Sequence, residues 1–212
     1  MRIYAVADVH GKKSRFDVIR DQATRLKADL IVIAGDMAAH FFRQPVSEYL
    51  SGMPVPVFAV RGNTDRGFME TTVWPEAGVT SLHLRRVTFQ GIIFTGISGA
   101  FLLPFQSRVR WREDALIAKA RSCMAGASVV VAHPPPLGLL DTVFGRFHAG
   151  SRGLKQLVCS KQPPLLLCGH IHEATGVVHK GKTVVVNCSI GRAGAGALID
   201  YTKGSMPVVN ML

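Results

Sequence analysis

The chain has 212 residues, with 25 Lys+Arg against 14 Asp+Glu, a formal net charge of +11 and 48% hydrophobic residues. A domain usually takes roughly 100–200 residues, so a single domain over residues 1–212 is expected, and the apolar content excludes a disordered tail or a polar linker. The longest apolar stretch, residues 91–105, is broken by Gly96, Ser98, Gly99 and Pro104; a membrane span needs about 18 uninterrupted apolar residues, so no membrane association is expected.

Ile3 to Ala7 reads as a short apolar strand, and Asp8 and His10 end the run before a signal-peptide core could form, so a cytosolic location is expected. Ser14 to Leu26 follows as a helix with Phe16, Ile19, Ala23 and Leu26 on one face and Ser14 as its N-cap. Leu30 to Ala34 and Val55 to Val60 are two more apolar strands, each stopped near a glycine. Continuous Val/Ile/Leu runs separated by helical pattern point to parallel strands covered on both faces. Thr80–Leu84, Arg86–Phe89 and Ile92–Gly96 read as a meander around Gln90-Gly91. A helix over Glu113–Met124 leads to a strand, Ser128–Ala132, which Pro134-Pro135-Pro136 closes. A helix over Gly150–Ser160 and a strand Leu165–Cys168 come next, then three strands, Thr175–Val178, Thr183–Asn187 and Ala195–Tyr201. The pattern is one α/β domain with two sheets.

The apolar strands end in residues of one chemical kind: Asp8-Val9-His10, Gly35-Asp36, Gly62-Asn63, His133 and Gly169-His170-Ile171-His172. In open α/β sheets ligands sit outside the carboxyl ends of the strands, so these ends can converge on one site. Within each of the pairs Asp8/His10 and His170/His172, residues i and i+2 of extended backbone point the same way. Two Asp, four His and one Asn exceed the four ligands of a structural zinc site. Oxygen and imidazole donors without thiolates suit Mn, Fe, Zn, Ni or Co, and two cations bridged by a carboxylate fit the number of donors. Cys123, Cys159, Cys168 and Cys188 have no zinc-finger spacing and read as free thiols.

In the order and type of these blocks, now including Gly62-Asn63-Thr64-Asp65, the chain resembles the calcineurin-like metallophosphoesterase superfamily. Within it, the chain is similar to the small prokaryotic phosphoesterases related to cyclic-nucleotide phosphodiesterases, also through His148-Ala149-Gly150-Ser151, Glu173 and Val186-Asn187. The resemblance implies a four-layer αββα sandwich with two mixed β-sheets. It also implies two divalent cations, Mn²⁺ first among them, in a dinuclear site. Asp8, His10, Asp36 and His172 would hold one metal; Asp36, Asn63, His133 and His170 would hold the other, with Asp36 as the bridge. A hydroxide between the metals would attack phosphorus in line.

Many phosphomonoesterases of the superfamily carry a histidine after the motif asparagine, where this chain has Thr64. Without that imidazole a general acid worth about 10²–10⁴-fold is missing, and the less charged phosphodiesters become the expected substrates, in a small or nucleotide-like molecule. Asp65 reads either as a proton acceptor that orients water or as a turn residue. His148 reads either as a replacement acid or as a loop residue, and Ser151 either as a phosphate contact at a helix N-terminus or as an N-cap. Arg61, Arg66, Arg146 and Arg152 include one or two phosphate clamps, of which Arg66, with Asn63, is the expected substrate contact. His40, His83 and His179 are expected at the surface. Phe101–Phe105 reads as packing, a dimer contact or the lining of a base-sized pocket.

Two other functions stand beside this one. The superfamily includes a retromer subunit that uses the fold as a scaffold with a defective metal site, and DNA-repair nucleases share the motifs. All ligand positions are filled here, against the scaffold. The charge of +11 fits nucleic acid, but no block of five basic residues occurs, aromatics are 8%, and 212 residues leave little room for extra DNA-binding segments.

Overall fold

The computed structural model describes residues 1–39, 46–99, 107–191 and 194–212, without the side chains of 107–114. His40 and the segment Phe101–Phe105 lie outside the described residues. In chain order the elements are β1 (Arg2–Val6), α1 (Lys13–Arg25), β2 (Leu30–Ala34), α2 (Val46–Ser51) and β3 (Val57–Val60), then a π-helical turn, Met69–Val73, the single-turn α3 (Trp74–Glu76) and β4 (Val79–Ser81). The hairpin β5 (Arg86–Phe89) and β6 (Ile92–Ile97) precedes α4 (Ser107–Cys123), β7 (Val129–Ala132), β8 (Thr142–Val143), β9 (Phe147–His148) and α5 (Arg152–Lys161). The chain closes with β10 (Leu165–Cys168), β11 (Gly176–Lys180), β12 (Thr183–Asn187), β13 (Ala197–Asp200) and β14 (Val208–Met211).

Two six-stranded mixed sheets result, ordered β14-β13-β1-β2-β3-β4 and β11-β12-β10-β7-β6-β5. In the first, β1 to β4 are parallel, β13 runs antiparallel to β1, and β14 runs antiparallel to β13. In the second, β6, β7, β10 and β12 are parallel, with β5 and β11 antiparallel at the edges.

Strand periodicity assigns each apolar side chain to one of two cores. Ile3, Ala5 and Ala7, Leu30 and Val32, and Phe58 and Val60 face Phe94, Val129, Val131, Leu165 and Leu167 of the other sheet. The intervening Tyr4, Val6, Ile31 and Ile33 face Phe16, Ile19 and Ala23 of α1. On the far side, Val130, Leu166 and Val185 face Ile117 and Ala120 of α4 and Leu154, Leu157 and Val158 of α5. Helices, sheet, sheet, helices make four layers. The central parallel strands are buried on both faces, which is why β2 and β12 are buried at all five positions. Among the described residues no helix is long and apolar enough to cross a membrane.

Three expectations need correction. The middle segment is not a meander: β4 adds parallel to β3, and the chain then changes sheets before the β5–β6 hairpin. Gln90 and Gly91, with φ of 47° and 75°, make the tight turn of that hairpin, but no such turn joins β4 to β5. Buried Leu82 instead carries the chain into the core between the sheets. Ser14 does not cap α1; the N-cap is Lys12, without a side-chain bond, because backbone bonds from His10 to Asp36 and from Gly11 to Met37 already fix the entry to the helix. His83 is not a surface residue: it is half-buried, its Nδ1 accepts from the Ser98 amide at 3.0 Å, and burial pulls its pKa down. His179 is exposed.

Candidate metal centre

Parallel register delivers the motif residues to one end of the sandwich. Val6 of β1 lies beside Ile33 of β2, and Ala34 beside Val60 of β3, so Asp8, Asp36 and Asn63 emerge together. His133 follows β7, and the loop Gly169–His172 follows the adjacent strand β10. Four of these residues, Asp8, His10, Asp36 and His170, have positive φ (63°, 54°, 54° and 71°). Such backbone costs of order 1–3 kcal/mol per residue and persists where the surroundings over-determine it. Here bonds from Asp8 N to Gly35 O, from His10 N to Asp36 O, and from His170 N to the Asp8 carboxylate do so.

The fully buried His133 approaches Ala34 O with Nδ1 at 2.9 Å, so Nδ1–H donates there and Nε2 carries the free lone pair. That Nε2 is 3.0 Å from Asn63 Oδ1, 3.2 Å from His170 Nδ1 and 3.5 Å from Asp36 Oδ1. On the other side His172 Nε2 is 3.4 Å from Asp8 Oδ1 and 3.4 Å from His10 Nε2. His10 Nδ1 stands 4.0 Å from Asp36 Oδ2. Asp36 therefore turns one oxygen to each side. Two triads, Asp8/His10/His172 and Asp8/Asp36/His133, each bring one donor atom per residue within 4.8 Å of the others.

These residues fit a divalent cation. Asp8 Oδ1 is buried without a hydrogen-bond partner, and an orphaned carboxylate oxygen is costly unless something charged meets it. The ring nitrogens at 3.2 and 3.4 Å face one another as lone pairs would around an ion. Their protonation agrees. Burial lowers the pKa of His10, and burial reinforced by His133 holds His170 at about 4, so both offer neutral nitrogens. Burial pushes the Asp8 carboxyl up, but His172, Ser189 and His133 beside it outweigh burial and hold the group at about 2.

Close approach explains two glycines. A Cβ on Gly62 would lie 2.0 Å from Asp36 Oδ1, and one on Gly191 would lie 2.5 Å from the His172 ring. Gly191 escaped the sequence reading because no motif marks it. So did Arg15, whose guanidinium donates to Asp8 O, Val9 O and Gly191 O at 2.8, 3.2 and 2.8 Å, tying two loops of the site together. Asn187 is buried, donating to Ile171 O at 2.8 Å and accepting from Ser189 N at 3.1 Å, so it braces the His170–His172 loop.

The remaining candidates divide. Asp65 is buried with both oxygens accepting backbone amides, from Ala38 at 2.8 Å and Gly62 at 2.9 Å, and burial raises its pKa. The Thr64 amide donates to Asp36 at 2.8 Å, while its hydroxyl is buried without a partner. Arg61 is pinned through Nε to Glu70 at 2.8 Å; Arg66, Arg146 and Arg152 are exposed. Ser151 is the N-cap of α5, accepting from Leu154 N at 2.9 Å. His148 belongs to the β8–β9 hairpin and reaches Asp141, a residue without a place in the sequence motifs, at 2.7 Å.

Two stacked mixed sheets with a histidine- and carboxylate-lined centre at the ends of their parallel strands define a class of α/β protein that presents a candidate metal site. The chain belongs to the calcineurin-like phosphoesterase superfamily, whose domain model matches residues 1–202. It is 27% identical over 201 residues to an uncharacterised protein of Methanocaldococcus jannaschii, covering 89% of this chain and 88% of that one. The fold is shared with TT1561 of Thermus thermophilus (TM-score 0.66, 16% identity, 99% and 98% of the two chains). It is also shared with an archaeal phosphodiesterase (TM-score 0.60, 11% identity, 100% of each chain).

Proposed function

We propose that the chain is a phosphodiesterase working with two divalent cations, Mn²⁺ first among them, on a small or nucleotide-like diester in the cytosol. The observation that carries this is the Asp36 carboxylate, with Oδ1 facing His133 and Oδ2 facing His10 between two donor sets that share Asp8. Asp8, His10, Asp36 and His172 would hold one ion, and Asp36, Asn63, His133 and His170 the other. Bound cations would neutralise phosphoryl oxygens and make a water acidic enough to react near neutral pH.

The protein groups supply the rest. Ala34 O fixes the tautomer of His133, and His172 shares the Asp8 carboxylate. Asp65 holds the 62–65 loop through two amides and thereby places Asn63. Thr64 stands where an imidazole would otherwise protonate a monoester leaving group, which favours diesters. Asn63 and Arg66, both exposed, are available to a phosphoryl oxygen, while Ser151, the cap of α5, is tied by its backbone to Pro135. His148 is the proton donor in this reading. Four free cysteines agree with a reducing compartment.

The test is metal content together with Mn²⁺-dependent hydrolysis of bis-p-nitrophenyl phosphate and p-nitrophenyl phosphate by the wild type, Asp36→Asn and His133→Ala. Two ions per chain, a preference for the diester and loss of activity in both variants are expected. Bound metal with no hydrolysis of either ester would instead favour a scaffold, and faster hydrolysis of the monoester would overturn the diester assignment.

A further inference from the structure

We propose that Asp141 is a positioning residue that aims His148 at the leaving oxygen, and that the site therefore serves diesters of aliphatic alcohols. This deepens the diesterase reading and rests on it. Asp141 is fully buried at the base of the β8–β9 hairpin. Its Oδ2 accepts the amides of Gly138 and Gly150 at 2.9 and 3.0 Å, and its Oδ1 meets His148 Nδ1 at 2.7 Å. The carboxylate is thus anchored by backbone before His148 is counted. The histidine side chain is 56% exposed, and among the described residues its Nε2 has no hydrogen-bond partner. A carboxylate on Nδ1–H fixes ring orientation and leaves Nε2 as the nitrogen that exchanges protons with whatever stands before it.

The hairpin is tied to both histidine loops. Ser151 N donates to Pro135 O at 2.8 Å and Leu137 N to Ser151 O at 2.9 Å, two to four residues after His133. Phe144 N donates to Glu173, the residue after His172. The dyad therefore stands on a segment braced from two sides to the stretches of chain that follow His133 and His172. Its chemistry supplies what Thr64 lacks. As water adds its oxygen to phosphorus and the P–O bond to the alcohol breaks, the leaving oxygen keeps the bonding pair and takes the Nε2 proton. The proton lost by water passes to solvent, from which His148 is reprotonated. A proton donor matters most when the leaving oxygen is strongly basic, which is the case for aliphatic alkoxides and points to such esters as substrates.

The test is kcat/KM for Mn²⁺-loaded wild type, His148→Ala and Asp141→Asn on a series of aryl methyl phosphates from p-nitrophenyl to phenyl, with metal content measured on each protein. In Asp141→Asn the Gly138 and Gly150 amides hold the oxygen of the new carboxamide, turning its NH₂ toward His148 and removing the acceptor for Nδ1–H. Both variants are expected to keep their metal and to lose more rate as the leaving phenoxide becomes more basic, reaching about 10²-fold on the phenyl ester. Added imidazole is expected to restore the phenyl rate of His148→Ala, a readout that holds even if Asp141→Asn fails to fold. An equal loss on every ester, or none, overturns the dyad while leaving the diesterase reading intact. A metal-loaded wild type that hydrolyses no member of the series overturns both.

Discussion

Gly62 has no room for a side chain: a methyl there meets Asp36 Oδ1 at 2.0 Å and the Asp36 amide at 2.5 Å. Both contacts are with groups that cannot yield without moving the ligand. Gly62→Ala is therefore expected to lower stability by about 1–3 kcal/mol and to abolish Mn²⁺ binding, checked by calorimetric titration and thermal melting. Unaltered metal affinity would refute the steric account. Arg15 acts by a different physics, joining three backbone carbonyls of two loops with one planar fork. Hydrogen bonds from a charged group are worth about 1.5–3 kcal/mol each at most, and a lysine has no fork. Arg15→Ala should cost about 2 kcal/mol and weaken metal binding, with Arg15→Lys recovering less than half of the loss in urea unfolding. The motif glycines and ligands were legible in sequence because each sits next to a strand end. Arg15 and Gly191 were not, since nothing local distinguishes them from a solvated arginine and a loop glycine.

At the scale of elements, α5 shows how a cap and an apolar face combine. Ser151 caps it, Leu154, Leu157 and Val158 are buried on one side, and Gln162 ends it in left-handed backbone. Ser151→Ala is expected to cost about 1 kcal/mol, read from urea unfolding, whereas a phosphate contact by Ser151 would raise KM for the diester as well. The long buried strands and α1 were readable from periodicity. The edge strand β14, with Val208 and Met211 exposed, and the two-residue β8 and β9 were not, because neither has a buried face to impose a pattern. The β4–β5 passage was misread for the opposite reason: strands adjacent in sequence usually pair, yet here they belong to different sheets.

For the whole molecule, the metal centre couples stability to pH and to cations. In the metal-free protein, His170 is held at about 4 against an ordinary 6.5, and Asp8 at about 2 against 3.8. Both bind protons less readily folded than unfolded. Their stabilisation is complete above the unfolded values and is lost on acidification, for His170 from 6.5 down to about 4 and for Asp8 from 3.8 down to about 2. His172, raised mainly by the Asp8 carboxylate beside it, runs the other way, stabilising below 6.5 and losing that contribution as pH rises through its higher folded value. The melting temperature of the metal-free protein should fall between pH 7 and about 4, and a flat profile would contradict the burial of His170. Neutral imidazoles are also what a cation needs, so Mn²⁺ affinity should weaken over the same range. At about 100 times Kd, bound Mn²⁺ should add about 2.7 kcal/mol of stability. A chelator should remove that gain, and Asp36→Asn should lack it.

By itself the sequence determined the class of fold and which polar residues stand at its strand ends. Strands buried on both faces must be apolar throughout, and polar residues at their ends then stand out against them. Which of those residues face one another, which carbonyl fixes His133, and which carboxylate stands behind His148 were decided by the stacking of two sheets and the loops that close over their common end. Contacts such as Arg15 with Gly191, or Asn187 with Ile171, join residues far apart in the chain. They exist only once the register of β1, β2, β10 and β12 has brought those loops together.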